Sequence, residues 1–119
     1  MTRSLVNHHA GVSAEDIVLR TYTARGHQVA ARRWRGRGGE VDLILRDASG
    51  LIFVEVKKAR TFAAAACRLQ RRQMDRLIAA ASEFVAGEPR GLMTDMRFDL
   101  ALVDGSGHSR IIENAFGEA

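Results

Sequence analysis

The order of hydrophobic patterns along this chain predicts an α/β fold: αβββαβ with a short further strand, a mixed central sheet flanked by helices. Three observations predict it. Apolar residues recur at helical spacing in two places, near residues 14–25 and 69–86. Between them VDLIL and LIFVEVK are apolar runs of strand length, joined by RDASG, which has hairpin turn chemistry. The second helical stretch then separates LIFVEVK from another strand-like run, MRFDLALV, so that connection is long enough for a parallel crossover. At 119 residues the chain is expected to form one domain, residues 13–119, behind a flexible lead of residues 1–12.

The elements follow in order. Ser13 can cap the first helix, with Asp16 three residues later at capping-box spacing, and Gly26 is a natural stop. Val18, Leu19 and Tyr22 make its apolar stripe, and Glu15 borders that stripe. QVAARRW (28–34) reads as the first strand, RGRGG (35–39) as a loop, VDLIL (41–45) as the second strand and LIFVEVK (51–57) as a central third. KARTFAAAAC fits a loop passing into a helix. Met74, Leu77, Ile78, Ala81, Phe84 and Val85 set the inward face of the second helix, which Gly87 and Pro89 end. MRFDLALV (96–103) is the fourth strand and SRIIE a short fifth after the DGSGH turn.

Composition narrows the function. No apolar run reaches the roughly 18 residues of a membrane span, and the N-terminus lacks the apolar stretch of a signal peptide. The one cysteine, Cys67, has no partner for an internal disulfide, which fits a reducing cytoplasm. Cys67 is expected to pack on a helix. The chain carries 18 basic and 14 acidic side chains, and the surplus is uneven. From Arg20 to Arg76 there are 14 Lys or Arg against five acids, and 16 of the 18 basic residues are arginine. Arginine forks onto phosphate oxygens, so this half points to a polyanion, most often nucleic acid. Arg32, Arg33, Arg35 and Arg37 flank the glycine-rich loop, where they can clamp phosphates or form a solvated charge run. Gly36, Gly38 and Gly39 match neither a P-loop nor a dinucleotide fingerprint. Trp34 is expected to pack rather than stack on a base. Arg97 and Asp99 are expected to pair at a strand edge. His8 and His9, in the lead, are expected to be disordered rather than metal ligands, and His27 and His108 are isolated in the sequence.

Charges inside the apolar strands need an explanation, because burying one costs several kcal/mol unless it is paired or holds a metal. Alternation puts Glu55 and Lys57 on one face with Phe53, and Glu40, Asp42 and Ile44 on one face of the preceding strand. Pairing through RDASG brings Asp42 near Glu55. Two close carboxylates repel, which raises one pKa, and a divalent cation removes the repulsion. Mg²⁺ takes one or two carboxylates, waters and a phosphate oxygen. Lys57 beside it can orient a water or steady a transferring phosphoryl group. Glu15 completes the set if the first helix packs on that face. The alternatives are an ion pair between Glu55 and Lys57, an arginine partner for Asp42, and a helix-dipole role for Glu15. Glu40 has the weaker claim, since a strand edge can leave it in water.

Asp42 followed by Glu55-x-Lys57 resembles the PD-(D/E)XK nuclease core, the restriction-endonuclease-like fold. The whole chain, from about Ala14 to Phe116, resembles the YraN-like family of bacterial proteins. The resemblance rests on AE (14–15), GHQVAARRWR (26–35), GEVDLI (39–44), FVEVK (53–57), RQMDRLIAAASEFV (72–85), RFDL (97–100) and IIENAF (111–116), in that order. The family stands near archaeal Holliday-junction resolvases by fold. The resemblance implies Asp42, Glu55 and Lys57 as the metal and catalytic core and Glu15 as a helix-borne acid. Gln73 stands where many members carry lysine, which removes a charge from a helix-borne contact, and Arg60 is displaced by Lys58 and Ala59 from the family's usual position after the lysine.

Together these readings give a Mg²⁺- or Mn²⁺-dependent nuclease acting on DNA, branched or single-stranded. Asp42, Glu55 and Glu15 are its expected metal ligands, Lys57 its catalytic lysine, and Arg33, Arg35, Arg37 and Gln73 its nucleic-acid contacts. Analogy with the family's relatives adds a homodimer. The competing readings are a nucleic-acid-binding module without turnover and a partner-binding protein whose charges form a buried polar network.

Overall fold

The computed structural model describes residues 13–116. The lead of residues 1–12, with His8 and His9, lies outside the described residues. Helix α1 spans Ala14–Ala24, followed by strands β1 (Gln28–Arg35), β2 (Glu40–Asp47) and β3 (Gly50–Lys58). A short helix α2 (Phe62–Ala66) and the longer α3 (Arg71–Val85) cross over to β4 (Met96–Val103) and β5 (Ser109–Phe116). The five strands form one sheet in sequence order. Only β3 and β4 run parallel; the other neighbours are antiparallel. This is the mixed α/β sheet flanked by helices that the pattern predicts. Among the described residues no helix is long and apolar enough to cross a membrane.

Local chemistry explains the element ends. The Ser13 hydroxyl accepts from the Asp16 amide at 3.1 Å and caps α1. Thr61 does the same for α2, accepting from the Ala64 amide at 3.0 Å. That cap turns the ambiguous KARTFAAAAC stretch into a helix, and Cys67 falls at its exposed C-terminal end rather than in packing. Asp47 Oδ1 accepts from the amides of Ser49 and Gly50, at 2.8 and 3.0 Å, and closes the β2–β3 turn. Gly50 is required there: its φ is +150°, and a Cβ would sit 2.2 Å from the Asp95 carbonyl oxygen. β5 is a full strand of eight residues, longer than SRIIE implied.

The helices lie on opposite faces. α3 places Leu77, Ala80, Ala81 and Val85 against Ile44, Leu51, Phe53 and Phe98. α1 places Val18 and Tyr22 against Leu43, Leu45, Ile52 and Val54. α2 covers Leu100 and Leu102 through Ala65. Trp34 packs edge-on to Phe84 with ring centroids 5.3 Å apart, which settles it as a packing residue. Asp99 corrects the sequence reading. It does pair with Arg97, at 3.0 Å, but it is fully buried in an interior strand, not at an edge. It also accepts from the Tyr22 hydroxyl at 2.7 Å and the Asn114 amide at 3.0 Å. Asp99 thus ties α1 to an irregular step in β5, where Asn114 has φ +50°.

Candidate active site

Asp42, Glu55 and Lys57 meet at one end of the sheet, where β2 and β3 separate. The β2–β3 ladder runs from the turn to Leu43 opposite Val54 and stops there. The next amide that β2 would engage belongs to Val56, and Asp42 Oδ2 accepts from it at 2.9 Å instead. A side chain has replaced a rung of the ladder. β2 also breaks its alternation at this residue: Val41 and Ile44 both pack under α3, whereas Leu43 and Leu45 pack under α1. Strict alternation would have put Val41 with Leu43. Glu40, Asp42 and Ile44 therefore do not form the single continuous row that alternation implied. The residue across from Asp42 is Arg33, between the Arg32–Leu43 and Trp34–Val41 pairs, and its φ is +50°. An arginine in that left-handed region is uncommon, and such strain tends to gather at functional sites.

The electrostatics follow from burial. Asp42 is pushed up from 3.8 to about 7, first by burial and then by the neighbouring Glu55 charge, against the pull of the Val56 amide. Glu55 is raised as well, again by burial first, although Lys57 opposes the shift. The two carboxyls act on each other's charge, so they titrate as a pair. Lys57 Nζ lies 3.2 Å from Glu55 Oε2, and both side chains are largely buried. The ion-pair alternative is thus present in the structure, alongside the clustering that the nuclease pattern requires.

Glu15 arrives differently from the sequence expectation. α1 packs on the face opposite Glu55, with Val54 and Ile52. Glu15 nevertheless lies at the N-terminal end of α1, and its charge reaches both Asp42 and Glu55, raising each. Its Oε1 accepts from Arg33 Nε at 3.1 Å. Arg32 makes the parallel contact to Asp16 at 2.7 Å. Two of the four loop-flanking arginines are therefore engaged by the first turn of α1. Among the described residues no three acid, histidine or cysteine side chains form a ready-made metal cage.

The remaining expected contacts lie to one side. Arg35 pairs with Glu40 at 3.2 Å, on the surface. The Arg37 amide donates to Glu83 Oε1 at 2.8 Å, and its side chain is exposed. Gln73 helps to cap α3: its side-chain oxygen accepts from the Gln70 amide at 3.1 Å. His27 is not isolated, since Nε2 lies 3.4 Å from Asp47 Oδ2; His108 similarly approaches Asp104 at 3.3 Å. Sequence reasoning missed Arg76. Its signal was present: it lies one turn after Arg72, and three residues before Ala79, on a helix whose small residues admit the glycine loop.

A five-stranded mixed sheet flanked by helices in this arrangement is consistent with a restriction-endonuclease-like core. The sequence comparisons take the assignment further. Residues 14–103 match the model of the uncharacterised protein family UPF0102, and the chain belongs to that family, the YraN-like proteins. A UPF0102 protein of Cereibacter sphaeroides (strain KD131) is 61% identical over 93% of this chain and 95% of its own length. One from Ruegeria pomeroyi is 58% identical over 98% of this chain and 94% of its own. A more distant one, from Dinoroseobacter shibae, is 44% identical over 95% of this chain and 82% of its own.

Proposed function

We propose that this protein is a divalent-metal nuclease that hydrolyses phosphodiester bonds in DNA. The observation that carries the reading is the pair of half-buried carboxyls, Asp42 and Glu55, held together where the sheet opens and both raised by burial. A fold that needed only hydrogen-bond partners there would not place two acids side by side. The donor set fits Mg²⁺ or Mn²⁺, which take hard carboxylate oxygens such as those of Asp42 and Glu55 and fill their remaining positions with water and phosphate oxygens. Bound there, the cation supplies positive charge against the phosphoryl group and a more acidic water.

The chain's own residues do the positioning. The Val56 amide fixes Asp42, and Lys57 fixes Glu55. The Lys57 ammonium carries three donors, so beside its contact to Glu55 it can donate to a water or to a phosphoryl oxygen held at the acid pair. Arg33 holds Glu15 beside the pair, as a third acid within electrostatic reach. Fold analogy adds branched DNA to the substrates that the proposal covers.

A second reading, a nucleic-acid-binding module without turnover, is favoured by one observation. Glu55 and Glu15 already have basic partners in the chain itself. One experiment separates the two. Labelled single-stranded, duplex, flapped and four-way-junction DNA is incubated with the protein in Mg²⁺ and in Mn²⁺, beside Asp42→Asn and Lys57→Ala. Cleavage should fall by at least about a hundredfold in both variants, as expected for removing a ligand or a charge stabiliser. Undiminished cleavage by a folded Asp42→Asn protein would sink the proposal, and retarded migration with no cleavage would favour the binding module.

A further inference from the structure

Between the β1–β2 loop and α3 lies an open cleft of about 440 Å³, lined by Arg35, Arg37, Arg76, Glu40 and the glycines of the loop. Three guanidinium groups face one carboxylate there, and that carboxylate, Glu40, already has Arg35 at 3.2 Å. Arg37 and Arg76 are exposed, and among the described residues neither has a carboxylate partner. Like charges gathered without partners repel, so the arrangement favours an anion.

The loop is built rather than slack. The Gly36 amide donates to the Gly39 carbonyl at 2.9 Å, closing a tight turn. Glu83 Oε1, on α3, accepts from the Arg37 amide at 2.8 Å and pins the loop to the helix. A Cβ on Gly36 would lie 2.5 Å from Glu83 Oε1, and one on Gly38 would lie 2.9 Å from Ala79 Cβ. A side chain at Gly38 would push the loop away from α3, which carries Arg76. The glycines thus serve to bring arginines from a loop and a helix to one cleft. Glu40 lines that cleft, and Asp42 follows two residues later, roughly 7 Å along the strand.

We infer that the cleft between the β1–β2 loop and α3 is a phosphate subsite, in which Arg37 and Arg76 hold a nucleic-acid phosphate neighbouring the one presented to Asp42 and Glu55. The inference rests on the proposed nucleic-acid substrate, but not on turnover. Arg37 supplies the loop side of the clamp and Arg76 the helix side, while Arg35 keeps Glu40 neutralised at the rim. The phosphate is either an internal diester or a terminal monoester.

Binding without turnover tests it. Fluorescence anisotropy in EDTA, with labelled single-stranded and flapped DNA, compares the full chain with Arg37→Gln, Arg76→Gln and, as a control at the far end of the sheet, Arg90→Gln. Oligonucleotides with and without a 5′-phosphate distinguish the terminal from the internal source. Each of the first two variants should weaken binding by about tenfold and lower the salt slope by about one, while Arg90→Gln leaves both unchanged. Urea midpoints equal to that of the parent check that these surface changes leave the fold intact. DNA bound with undiminished affinity by Arg37→Gln and Arg76→Gln, or no DNA binding at all, overturns the inference. The loss pattern without any cleavage in Mg²⁺ would leave the subsite standing and remove the hydrolytic reading. Cleavage with unchanged KM in Arg76→Gln would do the reverse.

Discussion

Asp42 should cost this protein stability at neutral pH, and removing its charge should return it. In the unfolded chain its carboxyl titrates near 3.8, and in the fold near 7. Between those values the unfolded chain has released a proton that the native state keeps. Native stability therefore falls as pH rises through that window and levels off above it. From pH 5 to pH 7 two units of the window are crossed, at about 1.4 kcal/mol each, a ceiling of about 3 kcal/mol. Water at the partly open carboxyl and the coupling to Glu55 reduce the expected change to about 2 kcal/mol. Asp42→Asn keeps an oxygen to accept from the Val56 amide but carries no charge. Urea unfolding of both proteins in EDTA, at pH 5, 6, 7 and 8, isolates the acid pair, because titrating groups other than Glu55 cancel in the difference. The variant should gain about 2 kcal/mol on the parent between pH 5 and pH 8, a midpoint shift of about 1 M urea at an m-value of about 2 kcal/mol/M. A difference that stays flat with pH, or a variant that loses ground as pH rises, would mean that Asp42 is a well-paired structural acid. The charge-repulsion argument would then fail.

Two further predictions concern the scaffold. Asp99→Ala leaves the Tyr22 hydroxyl and the Asn114 amide without their acceptor and should destabilise the fold by about 3–5 kcal/mol, whereas Tyr22→Phe should cost about 1.5–3; equal and small urea-midpoint shifts would show the network to be dispensable. Gly38→Ala, with its new Cβ 2.9 Å from Ala79, should lose about 1–3 kcal/mol in thermal unfolding and weaken DNA binding as the loop moves off α3; an unchanged transition would mean that the loop shifts without cost.

The succession of elements was legible because each depends on neighbours in the chain. The Ser13 cap, the Asp47 turn and the period of Leu77, Ala81 and Val85 all act over a few residues, and they stand where the pattern put them. The approach of Asp42 to Glu55 was legible too, since a hairpin turn converts sequence distance into register. The face chosen by α1 was not. Both faces of this sheet are apolar, so the stripe of Val18 and Tyr22 fitted either, and only the competition with α3 assigned it. Asp99 read as an edge residue because its partners, Tyr22 and Asn114, lie 77 and 15 residues away. Cys67 lost its expected packing to a helix too short to reach it. Local periodicity and turn chemistry thus determined the strands, the helices and the acid pair from sequence alone. The break in alternation at Asp42, the hold of Arg33 on Glu15 and the cleft that Arg37 and Arg76 both line were decided only by tertiary structure, because each depends on groups that chain connectivity leaves free and that packing alone brings within reach.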